Sequence, residues 1–497
     1  MKNLRYILTR AAVSLAMAVS LSSCDYLDIV PEVKVPEEGV DFTDISSMYQ
    51  PVSGVYAIVR TSGCHWPVNL LTVIRDGDVW SGRYDDQAEM VSIGCNYMYN
   101  NAHWAFNDLW FNHYTIIRIA TEALVSLDNY AKNITSEDDM KRYRSYCAEV
   151  RTIRAWAYYR LVQEFGDVTI LRDPNQKNLR RSDKRLVYQY MLDEDLDYAW
   201  KYGEKLRPNE MEHPGAYTAY TARMIAAKVY LELGDYAKVE ECTSNIIDSK
   251  KFSLYPDYYQ LFKIPGKLCD EKLMEVQCTD FGLGSGDVVD TGHYFILGGP
   301  GMLSILDGRH INGWGFIGYT DNFLNWMKDR GEKIRATTSV IYGGQITPSK
   351  DMIENASNSQ NTNNWNGKWY VPISQITKGR YEYGGANNVC VLRYAEVLLM
   401  NSEALVRQGK NGDAPFNLVR ERAQMSKING VTLDDIIDER RMELCCEWGT
   451  RYADILRYGL AEKLLGSNGW TPEKAYYPLP AEQLNVAPDL ELPPMTE

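Results

Sequence analysis

Two stretches of this 497-residue chain end in the same way. Ala155-Trp156-Ala157-Tyr158-Tyr159-Arg160-Leu161 runs into Phe165-Gly166-Asp167, and Ala226-Ala227-Lys228-Val229-Tyr230-Leu231 runs into Leu233-Gly234-Asp235-Tyr236. A glycine just past a helix supplies the left-handed turn that stops it at no steric cost. The two glycines lie 68 residues apart, twice the roughly 34-residue period of stacked helix pairs. A third copy, Ala395 to Val406, ends at Gln408-Gly409. Helix pairs at such a period stack into a solenoid, each pair packing only on its neighbours.

Apolar spacing predicts the other helices. Ile45, Met48, Val52, Val55 and Val59 mark one, with Pro51 signalling a kink or a late start. Further helices are expected at 104–129, 137–165, 186–205 (acidic on one face), 217–233 and 236–248. Later ones fall at 390–408, 413–425, 432–446 and 449–464. The scaffold thus occupies about 44–60, 102–250 and 390–465. Two segments interrupt it, 61–101 and 252–388, where Gly, Asn and aromatics mix without a clean period. The second holds one helix, 320–329. Long irregular segments in compact proteins are usually functional. The fold class is mainly α: a tetratricopeptide-like helix-pair superhelix with a loop-rich inserted half containing little β, one domain over 44–497.

The N-terminus reads as an export leader. Lys2, Arg5 and Arg10 precede an apolar run, Ala11 to Leu21, too short to cross a bilayer comfortably. Leu21-Ser22-Ser23-Cys24 then places small residues before a cysteine, which resembles the lipobox of bacterial lipoproteins. Residues 1–23 are therefore read as a lipoprotein signal peptide and Cys24 as the lipidated first residue of the mature chain. Several acyl chains on one residue anchor stably, at about 0.8 kcal/mol per buried methylene. Residues 24–43, rich in Pro, Val and acidic residues, read as an extended tether.

The formal net charge is −13. Loss of the three leader cations takes the mature body to about −16, a surface that phosphate backbones repel, so nucleic acid is excluded as a partner. The 12 Trp and 35 Tyr are the compositional anomaly. Such rings suit sugar faces and interfaces as well as helical cores. Of 10 cysteines, nine remain once Cys24 is set aside, and none of their spacings is a metal pattern; no metal site and no cofactor are expected.

The motifs then converge on a family. Cys147 to Val168, ending Phe165-Gly166-Asp167-Val168, resembles the helix that closes in "FGDVP" in SusD/RagB lipoproteins. Arg393-Tyr394-Ala395-Glu396-Val397-Leu398-Leu399-Met400 resembles their "RYAEVLLM" helix. Glu439-Arg440-Arg441-Met442-Glu443-Leu444 with Gly449-Thr450-Arg451-Tyr452-Ala453-Asp454 resembles their "ERRxEL…GxRxxD" signature, and Tyr477-Pro478-Leu479-Pro480 their closing motif. Trp448 and Thr169 depart from the usual residues. The resemblance implies an outer-membrane lipoprotein facing the cell exterior, with four tetratricopeptide-like helix pairs. It implies that the protein binds glycan, delivers it to a SusC-like TonB-dependent transporter, and is not an enzyme. A peptide-capturing relative, a tetratricopeptide scaffold and a glycoside hydrolase are the alternatives.

The resemblance also implies a shallow arc of aromatics drawn from the two loop-rich regions. The candidate ligand contacts are Arg75, Asp78, Trp80, Tyr97, Tyr99 and Asn101 in the first, and Trp314 and Tyr319 in the second. Trp104 and Trp110, at helical spacing, read as core. Asp76, Asp78, Asp85 and Asp86 could supply a glycosidase's acid and base, but nothing sets two of them at a working separation. The run Glu439, Arg440, Glu443, Glu447, Arg451, Asp454, Arg457 reads as a structural ion-pair network, with Glu447–Arg451, Arg451–Asp454 and Asp454–Arg457 at pairing distance along a helix. Glu439, Glu443 and Glu447, like-charged on one stripe, then need cations from another helix.

Overall fold

A computed structural model describes residues 39–81, 88–280, 297, 299–300, 313–354, 363–380 and 384–497, with the backbone of short strands at 284–285, 288–289, 304–306 and 309–311. The leader, Cys24 and most of the tether lie outside the described residues, as do Asp85 and Asp86. Residues 39–43 do not stand clear of the body: the Phe42 ring meets Tyr130 edge-on at 5.0 Å.

The fold is mainly helical, as the periodicity indicates. Ten helices carry it: α1 Gln50–Thr61, α2 Trp66–Val73, α3 Trp104–Ala131, α4 Glu137–Phe165, α5 Ala219–Leu233, α6 Tyr236–Asp248, α7 Tyr394–Arg407, α8 Asp413–Arg422, α9 Leu433–Glu443 and α10 Thr450–Arg457. Consecutive helices pack in pairs, α3 on α4, α5 on α6 and α7 on α8. Pro51 sits in the first turn of α1, so it starts the helix instead of kinking it. Ser136 caps α4, its hydroxyl accepting from the Asp139 N–H, and Glu137, Asp138 and Asp139 lie in the positive first turn.

The paired Gly-Asp signals have a physical basis. Gly166, Gly234 and Gly409 have φ of +72°, +74° and +71°. The residue after each of the first two glycines then starts the next element. Asp235 caps α6 by accepting from the Lys238 N–H, and Asp167 accepts from the N–H of Lys184 at the start of the following helix.

Three expectations change. The predicted helix 186–205 is broken: a π-turn at Met191–Leu196 separates helices Lys184–Tyr190 and Asp197–Tyr202. The wider turn carries Asp195 out of the acidic outer face and into the core, where the Arg154 guanidinium grips it at 2.6 and 3.1 Å. Residues 61–101 are not mostly loop, because α2 and the helix Ala88–Asn96 lie within them. Their apolar runs are short and buried all round, which hides a helical period. The predicted helix from 390 begins as strand Val389–Arg393 and becomes α7 only at Tyr394.

The insertion is defined by packing. α6 ends at Asp248 and lies directly on α7, which begins at Tyr394, so the chain between them leaves the solenoid and returns. Its neck is an antiparallel pair, β2 Lys272–Val276 with Val389–Arg393. A second antiparallel pair joins the insertion to the first half: β1 Val79–Ser81 with β3 Ile317–Tyr319, Trp80 opposite Gly318.

Buried charge locks the two parts together. Arg393, on the neck, donates to Glu443 at 2.5 Å, Glu447 at 2.7 Å and Glu271 at 2.9 Å. Arg335 of the insertion donates to Glu439 at 2.5 Å, and Lys368 to Glu447 at 2.6 Å. Arg420 and Arg422 on α8 complete the shell around Glu439 and Glu443. The carboxylate stripe of α9 does draw its cations from other elements. The local pairing differs: Glu447 takes Lys368 and Arg393, while Arg451 reaches Asp78 at 3.3 Å and Asp454 takes Arg440 at 2.7 Å. The cause is the backbone, since α9 ends at Glu443 and Gly449 turns left-handed before α10. Asp454 to Arg457 is the one spacing of the three that forms as expected, at 2.8 Å.

Burial alone would raise the Glu443 pKa; Arg422, Arg393, Arg335 and Lys368 override it and hold the group at about 2, against an ordinary 4.5. Its contribution to stability is present above pH 4.5 and is lost as pH falls toward 2. Arg393→Met leaves Glu443 and Glu447 short of a partner in the interior and is expected to cost about 3–5 kcal/mol, read by urea unfolding. A cost under about 1 kcal/mol, the value of a surface pair, would show that the network does not hold the insertion.

Candidate functional site

The β1–β3 pairing brings a tryptophan of the insertion against Trp66, which also meets Trp104. Trp314 stands just before β3. Its ring meets Trp66, at the start of α2, at 5.8 Å and 90°, and Phe316 at 5.7 Å. Trp66 in turn meets Trp104, the first residue of α3, at 5.6 Å. Trp66 is buried and acts as the floor. Trp104 is 42% exposed, and Trp314 is half-buried.

Helix geometry extends this surface. Trp104, Asp108 and Phe111 are spaced i, i+4, i+7 on α3 and so share one stripe. Phe111 is 59% exposed. Asp108 holds the His65 ring at 2.7 Å, both side chains partly open to solvent. His103 caps α3, its Nδ1 accepting from the Ala105 N–H, and its ring stacks beside Trp104 at 5.7 Å and 24°. The result is an aromatic arc with a carboxylate–imidazole pair at its edge. Apolar ring faces with a few fixed polar groups are the chemistry of a site that stacks on a flat, hydroxyl-bearing ligand.

Most of the sequence-stated candidates sit elsewhere. Tyr319 is 0% exposed, stacked on Phe323 at 4.8 Å, with its hydroxyl facing the Cys445 sulfur at 3.7 Å. Tyr97 is 1% exposed and donates to the Arg75 carbonyl. Arg75 is buried, paired with Glu164, its guanidinium between the rings of Tyr452 at 4.2 Å and Tyr477 at 3.9 Å. Asp78 pairs with Arg441 and Arg451. These four side chains hold the scaffold and offer no face to a ligand. Trp80 is buried over Gly318, where an added Cβ would meet its ring at 2.2 Å. Tyr99 is half-buried, its ring against Phe106 at 5.3 Å. Asn101 is exposed at the approach to α3. Of the eight, only Trp314 lies in the arc.

Trp104 is the reverse case. Its helical spacing reads as core, but as the first residue of α3 it has no preceding turn to cover it. Trp110, one and two-thirds turns on, is core as expected, packed on Phe165 at 5.0 Å. The signal that could have found Trp104 is His103, an N-cap, which marks the next side chain as a helix-end residue.

Asp76 shows why the carboxylates here are structural. Burial, then the neighbouring Asp78, push its pKa up to about 7. Its Oδ1 accepts from the N–H groups of Asp78 and Val79, fixing the turn into β1.

Residues 314–485 match the SusD family. The matched span holds Trp314, β3 and the α7–α10 ion network. A SusD-like protein of Bacteroides ovatus is 25% identical over 73% of this chain and 68% of its own. SusD-like protein P2 of Formosa agariphila is 24% identical over 95% of this chain and 96% of its own. Over residues 314–485 the chain is similar to the SusD family, and along most of its length to SusD-like proteins. The surface glycan-binding protein A of Bacteroides thetaiotaomicron, solved in complex with laminarihexaose, superposes with a TM-score of 0.73 at 22% identity, covering 89% of this chain and 97% of its own. Trp66 and α3 lie outside the span matched by the family model, and Trp314 lies at its start.

Gly318→Ala should break the joint without touching the arc directly. The new Cβ would meet the Trp80 ring and the Asn364 carbonyl. The expected cost is about 1–3 kcal/mol of stability, seen as a lower melting temperature together with a shift in tryptophan emission. An unshifted melt would mean that β1 and β3 are not held by this contact.

Proposed function

We propose that this protein captures glycan chains on the arc of Trp104, Phe111 and Trp314 and passes them, without a covalent step, to a partner transporter. The observation that carries this reading is the convergence of two solvent-facing tryptophans from distant parts of the chain on one buried tryptophan floor. The apolar faces of sugar rings stack on such indoles, and the Asp108–His65 pair on the α3 stripe can take hydroxyl hydrogen bonds. The laminarihexaose complex of a protein with the same fold supports a sugar as the ligand class. Support for binding over hydrolysis comes from the carboxylates. Asp78 is buried on Arg441 and Arg451, and Asp76 is buried with its Oδ1 taken by backbone N–H groups, so neither offers its carboxyl to a substrate.

The cellular setting is part of the same proposal. Cys24 carries the lipid, the chain sits on the outer membrane facing the exterior, and a SusC-like TonB-dependent transporter receives the glycan. Among the described residues no helix is long and apolar enough to cross a membrane. Weak single contacts would be raised by polymer engaging many copies.

Affinity electrophoresis of the body (residues 25–497) against a polysaccharide panel tests the reading, with reducing-sugar release assayed in parallel. Retardation without release is expected. Trp104→Ala or Trp314→Ala should each remove about 2 kcal/mol or more, the loss of a central aromatic anchor, and abolish retardation. Tyr319→Phe, in a buried ring, should leave it intact. Release of reducing sugar, or retardation untouched by both tryptophan changes, would overturn the proposal. Cys24→Ala is expected to free the protein from membranes; continued membrane association would refute the anchor.

A further inference from the structure

Glu149 is the odd carboxylate of the scaffold. It lies on α4 and is 3% exposed, yet no cation pairs with it among the described residues. Most other buried carboxylates have one: Asp195 has Arg154, Glu164 has Arg75 and Glu271 has Arg393, while Asp76 and Asp351 have backbone N–H groups among their donors. Glu149 has only hydroxyls. Its Oε2 accepts from Tyr49 at 3.1 Å and Tyr56 at 2.9 Å. A buried carboxylate without a cation is costly, and it protonates instead. Burial, opposed by the two tyrosine hydroxyls and reinforced by Glu212, pushes its pKa up to about 8.

The group opens onto a cavity of about 340 Å³, within the size range of small-ligand sites. Tyr146, Leu206 and Met211 form its apolar wall. Tyr49 meets Tyr146 edge-on at 4.8 Å and stacks on His213 at 3.8 Å and 18°, so three rings are clamped beside the carboxyl. Beyond His213 a second cavity, of about 240 Å³, continues past Tyr56 and Tyr217. The mouth is acidic, with Asp138, Glu204 and Glu212. Two cations also line it, both well exposed and spent on other carboxylates: Lys141, 73% exposed, lies 3.5 Å from Glu204, and Arg142, 60% exposed, 3.8 Å from Asp139. Glu149 lies sixteen residues before Phe165 on α4, about 24 Å along the helix from the end that packs near the aromatic arc.

A buried carboxyl lacking its counter-ion, beside tyrosine faces and under an acidic rim, is the recognition chemistry of an organic ammonium. We propose that this cavity is a second binding site, distinct from the arc, that takes a primary ammonium group against Glu149. Binding places the missing cation on the carboxylate and expels its proton.

Calorimetric titration of the whole protein at pH 7 tests this. Two amines serve as probes, glucosamine and Nα-acetyl-lysine amide, with N-acetylglucosamine as the uncharged control. At least one amine is expected to bind and to release a proton, seen as a heat that changes with buffer ionisation enthalpy; the control should not bind there. Tenfold preference for glucosamine assigns the ammonium to an amino sugar, and tenfold preference for the lysine derivative assigns it to a peptide. Glu149→Gln keeps the shape and should weaken the bound amine at least tenfold and remove the proton release. Should that variant fail to fold, Glu212→Gln on the rim is expected to weaken binding about threefold, because it removes one charge that favours the cation. No amine binding in the unaltered protein, or equal binding in these variants, overturns the proposal. So does equal binding of N-acetylglucosamine.

Discussion

The interior of this protein depends on three glutamates, Glu439 and Glu443 on α9 and Glu447 just beyond its end, and on the cations that other elements bring to them. Alone, α9 and its continuation could not be buried: three like charges on one stripe repel, and each costs several kcal/mol to dehydrate. Arg335 and Lys368 from the insertion, Arg393 from its neck, and Arg420 and Arg422 from α8 make burial possible. A hydrophobic core would be as stable but less particular about orientation. Bidentate guanidinium contacts accept one geometry, so the network fixes where the insertion sits on the solenoid. The aromatic arc inherits that geometry, since Trp314 is carried on the insertion and Trp66 and Trp104 are not.

The solenoid was legible because it rests on local rules. Helix stops at Gly166 and Gly234 and caps at Ser136 and Asp235 are decided within a few residues. The breaks in legibility have equally local causes. The π-turn at Met191–Leu196 is invisible to a 3.6-residue period, and what explains it is Arg154, which lies about forty residues upstream in the chain. α2 is buried on every side, so no polar face reveals its period.

The site was legible in type but not in position. Aromatics in the two irregular regions do meet, through the pairing of β1 and β3, yet composition cannot say which face of a ring is left open. Tyr97 and Tyr319 carry the same residue type as a sugar platform and are plugged into the core. Trp104 reads as core and is open because it stands at a helix end. Arg75 illustrates the same point for charge: an arginine among tyrosines suits a ligand contact, and here the tyrosines are its own, Tyr452 and Tyr477. Exposure is set by contacts that span hundreds of residues, and no short window of sequence contains them.

The pairing of β1 with β3 joins strands about 240 residues apart in the chain, a separation that makes contacts slow and late to form. Trp66 and Trp104 are synthesised early, in the first quarter of the chain, but Trp314 reaches Trp66 only after the first part of the insertion has been made and docked. The arc therefore does not exist on a nascent chain, whose first helices can already be in place. The arc is in this sense a readout of completed folding: only a molecule whose neck has closed and whose insertion has brought its cations to the glutamates sets Trp104 and Trp314 against the buried Trp66.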